Sequence, residues 1–124
     1  MLEMRISATV LNATDPRALA AFYQELLGWV RVADEADWVK IEPPGGGSGL
    51  SFQPESLYVR PTWPAEPGAQ QMMMHLDIAS SDVDADVARA QELGAELADF
   101  QPQADVRVML DPDGHPFCLF PGTI

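Results

Sequence analysis

At 124 residues the chain has room for one domain, and seven Lys and Arg against nineteen Asp and Glu leave a formal net charge of -12. Hydrophobic residues make up 47% of it, too many for a disordered chain, and at this size roughly two-thirds of the unfolded chain's surface can be buried. The single lysine, Lys40, and a few scattered arginines form no cationic footprint, so nucleic acid and anionic membranes are excluded as expected partners.

The opening stretch MLEMRISATV has Glu3 ahead of Arg5, and polar residues break the apolar run after it, which fits neither a signal peptide nor a membrane anchor. The lone cysteine, Cys118, excludes an intramolecular disulfide and a zinc site built from several thiolates, and it points to a reducing, cytoplasmic setting. Alternating residues predict a first strand over 5–12. A helix follows: Asp15 is suited to the N-cap, Pro16 to the first helical position, Leu19, Phe22 and Leu26 recur at helical spacing, and Gly28 supplies a left-handed stop. Short strands are then predicted over 29–33, 38–42 and 50–53. The connection from Pro43 to Gly49 is rich in glycine but lacks the Lys-Ser/Thr ending of a phosphate loop, and no helix follows it, so it reads as a hairpin loop.

Between residues 54 and 71 come Pro54, Pro61, Pro64 and Pro67 with Tyr58 and Trp63 among them, a composition for an ordered, irregular crossover whose aromatics pack on something. A strand over 72–79 follows, in which Met74, Leu76 and Ile78 should face a core while Met73, His75 and Asp77 face the other way. The next helix has Ser81 as its expected cap. Asp82, Asp84 and Asp86 lie near the positive end of its dipole, Val83, Val87 and Ala90 form its buried stripe, and Gly94 stops it. That acidic cluster is explained by helix electrostatics rather than by a bound cation. Strands over 96–98, 107–110 and 117–120 complete the chain. Asp111-Pro112-Asp113-Gly114 is turn chemistry joining two of them, with His115 making local hydrogen bonds.

The pattern occurs twice. Ala8 precedes Asp15 by the same interval as His75 precedes Asp82, both helices end at a Leu-Gly pair, and the halves close with GLSFQP and PFCLFP. Each half reads βαβββ. The expected organisation is one α+β domain over 1–124, with module one at about 1–54, a connecting arm at about 55–71 and module two at about 72–124.

The segments DPRALAAFYQELLGW, HLDIASSDVDADVARAQELGA and DPDGHPFCLF resemble the vicinal oxygen chelate superfamily, specifically its glyoxalase-like and bleomycin-resistance-like domains. The resemblance covers nearly the whole chain. It implies two tandem βαβββ modules whose strands form an open, curled mixed sheet around a cleft, commonly in a homodimer. Enzymes of that superfamily usually hold a divalent metal, with ligands from the first and last strands of each module, and use it as a Lewis acid on two neighbouring substrate oxygens.

Carried onto this sequence, the first-strand ligand positions fall on Ala8 and His75, and the last-strand positions on Ser51, with Gln53 two residues on, and Cys118. Ala8 has no donor atom, and Cys118 stands where a glutamate is usual. No resident metal is therefore expected; if a divalent ion binds, its ligands would be His75, Cys118 and Gln53. The best candidate for acid/base work is His75 with Asp77. The ligand cleft is expected to draw on His75, Asp77, Gln53, Cys118, Trp38, Phe52 and Phe120, with Cys118 an inert liner, because nothing cationic in its sequence neighbourhood activates the thiol. The favoured reading is a binding protein for a small organic metabolite without the usual metal. A lyase or isomerase using a sparse metal site or His75 alone, and a structural or regulatory dimer with a vestigial cleft, are the alternatives.

Overall fold

A computed structural model describes residues 3–122, so the outermost ends of the two expected modules, residues 1–2 and 123–124, lie outside the described residues. The chain divides into two compact units, Met1–Tyr58 and Val59–Ile124. Among the described residues, no helix is long and apolar enough to cross a membrane.

The first unit runs β1 (Ala8–Ala13), α1 (Pro16–Leu27), β2 (Val30–Glu35), β3 (Trp38–Glu42) and β4 (Gly49–Pro54). Its four strands lie in the order β1-β4-β3-β2, with β1 and β4 parallel and the other pairs antiparallel. The helix forms as the sequence predicts. Asp15 accepts a hydrogen bond from Ala18 N at 3.3 Å, Pro16 opens the first turn, and Gly28 closes the last at φ 69°, a conformation that costs glycine little. The helix buries Leu19, Ala20, Phe22 and Tyr23, and the sheet buries Val39, Ile41, Leu50 and Phe52. Tyr23 stacks on Phe52 with ring centroids 5.9 Å apart. Each such large side chain contributes roughly 1.5–3 kcal/mol by leaving water.

The second unit repeats this order as β5 (Leu76–Ser80), α2 (Val83–Glu92), β6 (Glu96–Leu97), β7 (Arg107–Leu110) and β8 (Pro116–Pro121). Its sheet is ordered β5-β8-β7-β6, again with first and last strands parallel. Phe117, Leu119, Met109 and Ala90 are its buried apolar centre. The α+β architecture of two βαβββ modules with open sheets is thus present.

Two local expectations need correction. The strand predicted from residue 72 begins at Leu76, because Met73 takes a left-handed φ of 62° and Met74 N donates back to Met72 O at 2.7 Å, a tight turn that breaks the alternation. Met74, expected in the core, is consequently 71% exposed. In α2 the cap is Asp82 rather than Ser81: its carboxylate accepts from Ala85 N at 3.1 Å, while Ser80 Oγ accepts from Asp82 N. The helix starts one residue later than the Ser-Asp pair suggests. Asp84 and Asp86 do occupy its first turn, where the helix dipole favours them.

The proline-rich segment is ordered through its contacts within the second unit. Trp63 Nε1 donates to Phe100 O at 3.0 Å, and the two rings lie 6.1 Å apart. Arg60 donates to Pro112 O at 3.2 Å and lies 3.8 Å from the Glu96 carboxylate.

Candidate functional site

Strands β5 and β8 lie side by side with Asp77 directly opposite Cys118, and side chains on directly opposed residues share a face of the sheet. Leu76, Ile78, Phe117 and Leu119 point to the other face. Phe120, two residues beyond Cys118, shares the face of Asp77 and Cys118. His75 precedes the strand but stays on this side, held by its Nε2 at 3.1 Å from Asp77 Oδ1. One donor atom from each of His75, Asp77 and Cys118 lies within 4.8 Å of the others. Side chains of His75 and Asp77 are 39% and 62% exposed, so the cluster is open to a ligand.

The electrostatics follow from that geometry. Burial, the Asp77 charge and a hydrogen bond to the Asp77 carboxylate all push the Cys118 thiol up from its ordinary value of 9.0. The thiol is therefore kept protonated at neutral pH and is a poor nucleophile. His75 beside Asp77 has the arrangement of a proton-transfer pair, an imidazole oriented by a carboxylate.

The remaining expected cleft residues lie in the first unit. Trp38 is half-buried on β3 on the same face as Lys40. Gln53 donates to Asn12 Oδ1 at 2.9 Å. Phe52 was expected to line the cleft and instead lies on the helix-facing side of β4, fully buried against Tyr23, because it alternates with Ser51. Its aromatic surface belongs to the core. The loop reading of His115 is borne out: its Nδ1 lies 2.8 Å from Asp111 Oδ2, and Asp111 Oδ1 also accepts from Asp113 N and His115 N.

A divalent ion fits the second unit's donor set in part. One imidazole, one carboxylate and one thiol are ligand types that zinc accepts, and three protein ligands is the number found at catalytic zinc sites. Asp77 was not among the ligands expected from sequence; its place beside Cys118 follows from the β5–β8 register, in which Ser80 pairs with Pro121. The equivalent place in the first unit offers less. Val10 lies opposite Ser51, and the Ser51 hydroxyl is buried without a hydrogen-bond partner.

This twofold βαβββ arrangement defines the vicinal oxygen chelate class of protein. Residues 8–120 match the family model described as a glyoxalase-like domain, and the chain belongs to that family. Its fold is similar to that of a glyoxalase/bleomycin resistance protein/dioxygenase family enzyme from Burkholderia phytofirmans PsJN, with 19% identity, coverage of 91% of this chain and 94% of that one, and a TM-score of 0.66. It is also similar to TnmS3, an antibiotic binding protein from Streptomyces sp. CB03234, at 23% identity, 99% coverage of each chain and a TM-score of 0.63. A bleomycin resistance determinant encoded on the transposon Tn5 matches at 18% identity, over 98% of this chain and 100% of that one, with a TM-score of 0.61. At these identities the likeness carries the fold. No curated protein matches the chain significantly.

Proposed function

We propose that this glyoxalase-like domain binds a small organic metabolite on the second unit's sheet face, without a resident metal, as a cytoplasmic homodimer. His75, Asp77 and Cys118 are the polar anchors and Phe120 the neighbouring apolar surface. The observation that carries the reading is the convergence of those three polar side chains, with His75 and Asp77 open to solvent, on a chain that lacks donors at Ala8 and Val10. Apolar surface with a few convergent polar groups is the usual composition of a small-molecule site. Two similar folds, those of an antibiotic binding protein and a bleomycin resistance determinant, support binding as the role.

The same convergence supports a second reading, a lyase or isomerase with a sparse zinc site at His75, Asp77 and Cys118. A bound zinc would supply Lewis-acid polarisation of a substrate oxygen. In the metal-free reading His75 with Asp77 is the pair that would hold or move a proton; with zinc bound, both would be its ligands.

Metal analysis of protein purified without chelator, together with native mass spectrometry for co-purifying metabolites, separates the two. The binding reading expects no stoichiometric metal and a small molecule whose retention is lost in His75→Ala. A stoichiometric metal lost in the same variant overturns it in favour of the enzyme. Sedimentation velocity tests the dimer.

A further inference from the structure

The first unit contains an open surface pocket of roughly 430 Å³, formed where the exposed residues ahead of β1 run beside the β3–β4 connection. This is in the lower part of the range of about 300–1,000 Å³ typical of small-molecule sites. Arg5, Ser7, Lys40, Glu42, Gly47 and Ser48 are among its lining residues. Its floor is built by close packing. Gly49 N donates to Ser7 O at 2.8 Å, and Lys40 Nζ donates to Ser7 Oγ at 2.8 Å, which ties the segment before β1 to the sheet. A Cβ on Gly49 would come 2.4 Å from the Ile41 backbone oxygen and 3.2–3.3 Å from the Glu42 and Lys40 stems, so glycine is what lets β4 start this close to β3.

The charges here are unusual for this chain. With nineteen carboxylates and seven cationic side chains, each cation has many acidic groups to pair with. Arg17 and Arg31 pair with Asp34, Arg60 with Glu96, Arg107 is occupied by backbone carbonyls, and Arg89 has an interaction of its own. Arg5 and Lys40, by contrast, make no ion pair among the described residues, and both line one cavity. Oxyanions are held by such a combination of guanidinium, ammonium and hydroxyl donors.

We propose that this cavity binds the carboxylate or phosphate group of a small metabolite through Arg5, Lys40 and the Ser48 hydroxyl. Glu42, on the same wall as Lys40, accepts from a hydroxyl or amino group on the same ligand. It thereby favours hydroxy- or amino-acids over simple carboxylates. Its lining residues belong to the first unit, whereas the His75 cluster belongs to the second.

The test is a backbone amide NMR titration of the full chain with inorganic phosphate, acetate and glycolate, each against sodium chloride at equal ionic strength. Saturable shifts are expected at Gly47 and Ser48, with either phosphate or the carboxylates as the tighter probe and glycolate tighter than acetate. Losing a hydrogen bond to a charged group weakens affinity by about tenfold or more, so Lys40→Met and Arg5→Gln should each do so. Glu42→Gln should tighten acetate and erase the preference for glycolate. Arg17→Gln removes one positive charge elsewhere and should leave the titration unchanged. Amide dispersion shows whether each variant is folded, and Ser48→Ala replaces any that is not. Shifts that chloride reproduces, or an equal loss in Arg17→Gln, would overturn the proposal. The readout is at first-unit amides, so its failure is distinct from failure of the reading at His75.

Discussion

Across the parallel strands of the first unit Val10 faces Ser51; at the same position in the second unit Asp77 faces Cys118. Ala8 and His75 are likewise equivalent, as are Gln53 and Phe120. The backbone repeat is close enough that the register is shared, while the side chains at the shared positions differ in charge and donor type. The second unit carries an imidazole, a carboxylate and a thiol on its strand face, and the first unit carries Arg5 and Lys40 beside its hairpin. Core positions, which must fill space against a helix, keep their chemistry. Positions on the opposite face are free of that requirement and have diverged.

The largest expected effect tests whether the two cores are equivalent. Phe52→Ala and Phe117→Ala each remove a fully buried ring, at a cost of about 3–5 kcal/mol in denaturant-induced unfolding. A much smaller loss at one of them would show that its unit can collapse around the gap.

Asp77→Asn probes the divergent face. Burial, which does most to hold the Cys118 thiol up, remains, but the substitution removes the Asp77 charge that adds to it, so alkylation by iodoacetamide near pH 8 should accelerate by about tenfold for each unit of pKa recovered. Because the folded-state pKa lies above the unfolded one, this thiol's contribution to stability is present below the ordinary value of 9.0 and is lost as pH rises through the folded value. Wild-type unfolding midpoints should therefore decline through the alkaline range more steeply than those of Cys118→Ala.

The helix starts are built alike, and Asp15→Ala and Asp82→Ala should each cost about 1 kcal/mol by thermal unfolding, with a range of roughly 0.5–2. Ser81→Ala should have no such effect. The smallest change is at Ser51, whose buried hydroxyl lacks a partner: Ser51→Ala should be neutral or stabilising by up to about 1 kcal/mol.

Most of the fold was legible because its signals are local. Asp15-Pro16 and Gly28 mark a helix by capping chemistry, and the matching interval from Ala8 to Asp15 and from His75 to Asp82 discloses the duplication. Strands 38–42 and 107–110 are bounded as alternation predicts. What escaped were properties of backbone conformation and register. Nothing in the residue type of Met73 announces a left-handed φ, and the alternation alone carries the strand through it. Aromatic character alone suggests a cleft residue at Phe52, but it does not reveal which side of a strand meets the helix, and the structure buries this ring against Tyr23. The cavity at Lys40 depends on the Ser7 bond and on Gly49, both set by pairing of segments distant in sequence.

The bond between His75 and Asp77 also selects a tautomer. With Nε2 directed at the carboxylate, the neutral ring carries its proton on Nε2 and presents the Nδ1 lone pair as its acceptor. An incoming hydroxyl or amine would then be met by Nδ1, whereas a cation approaching through Nε2 would first have to displace that proton and take Asp77 with it. Nitrogen NMR of the imidazole distinguishes the two ring forms, and Asp77→Asn is expected to relax the preference.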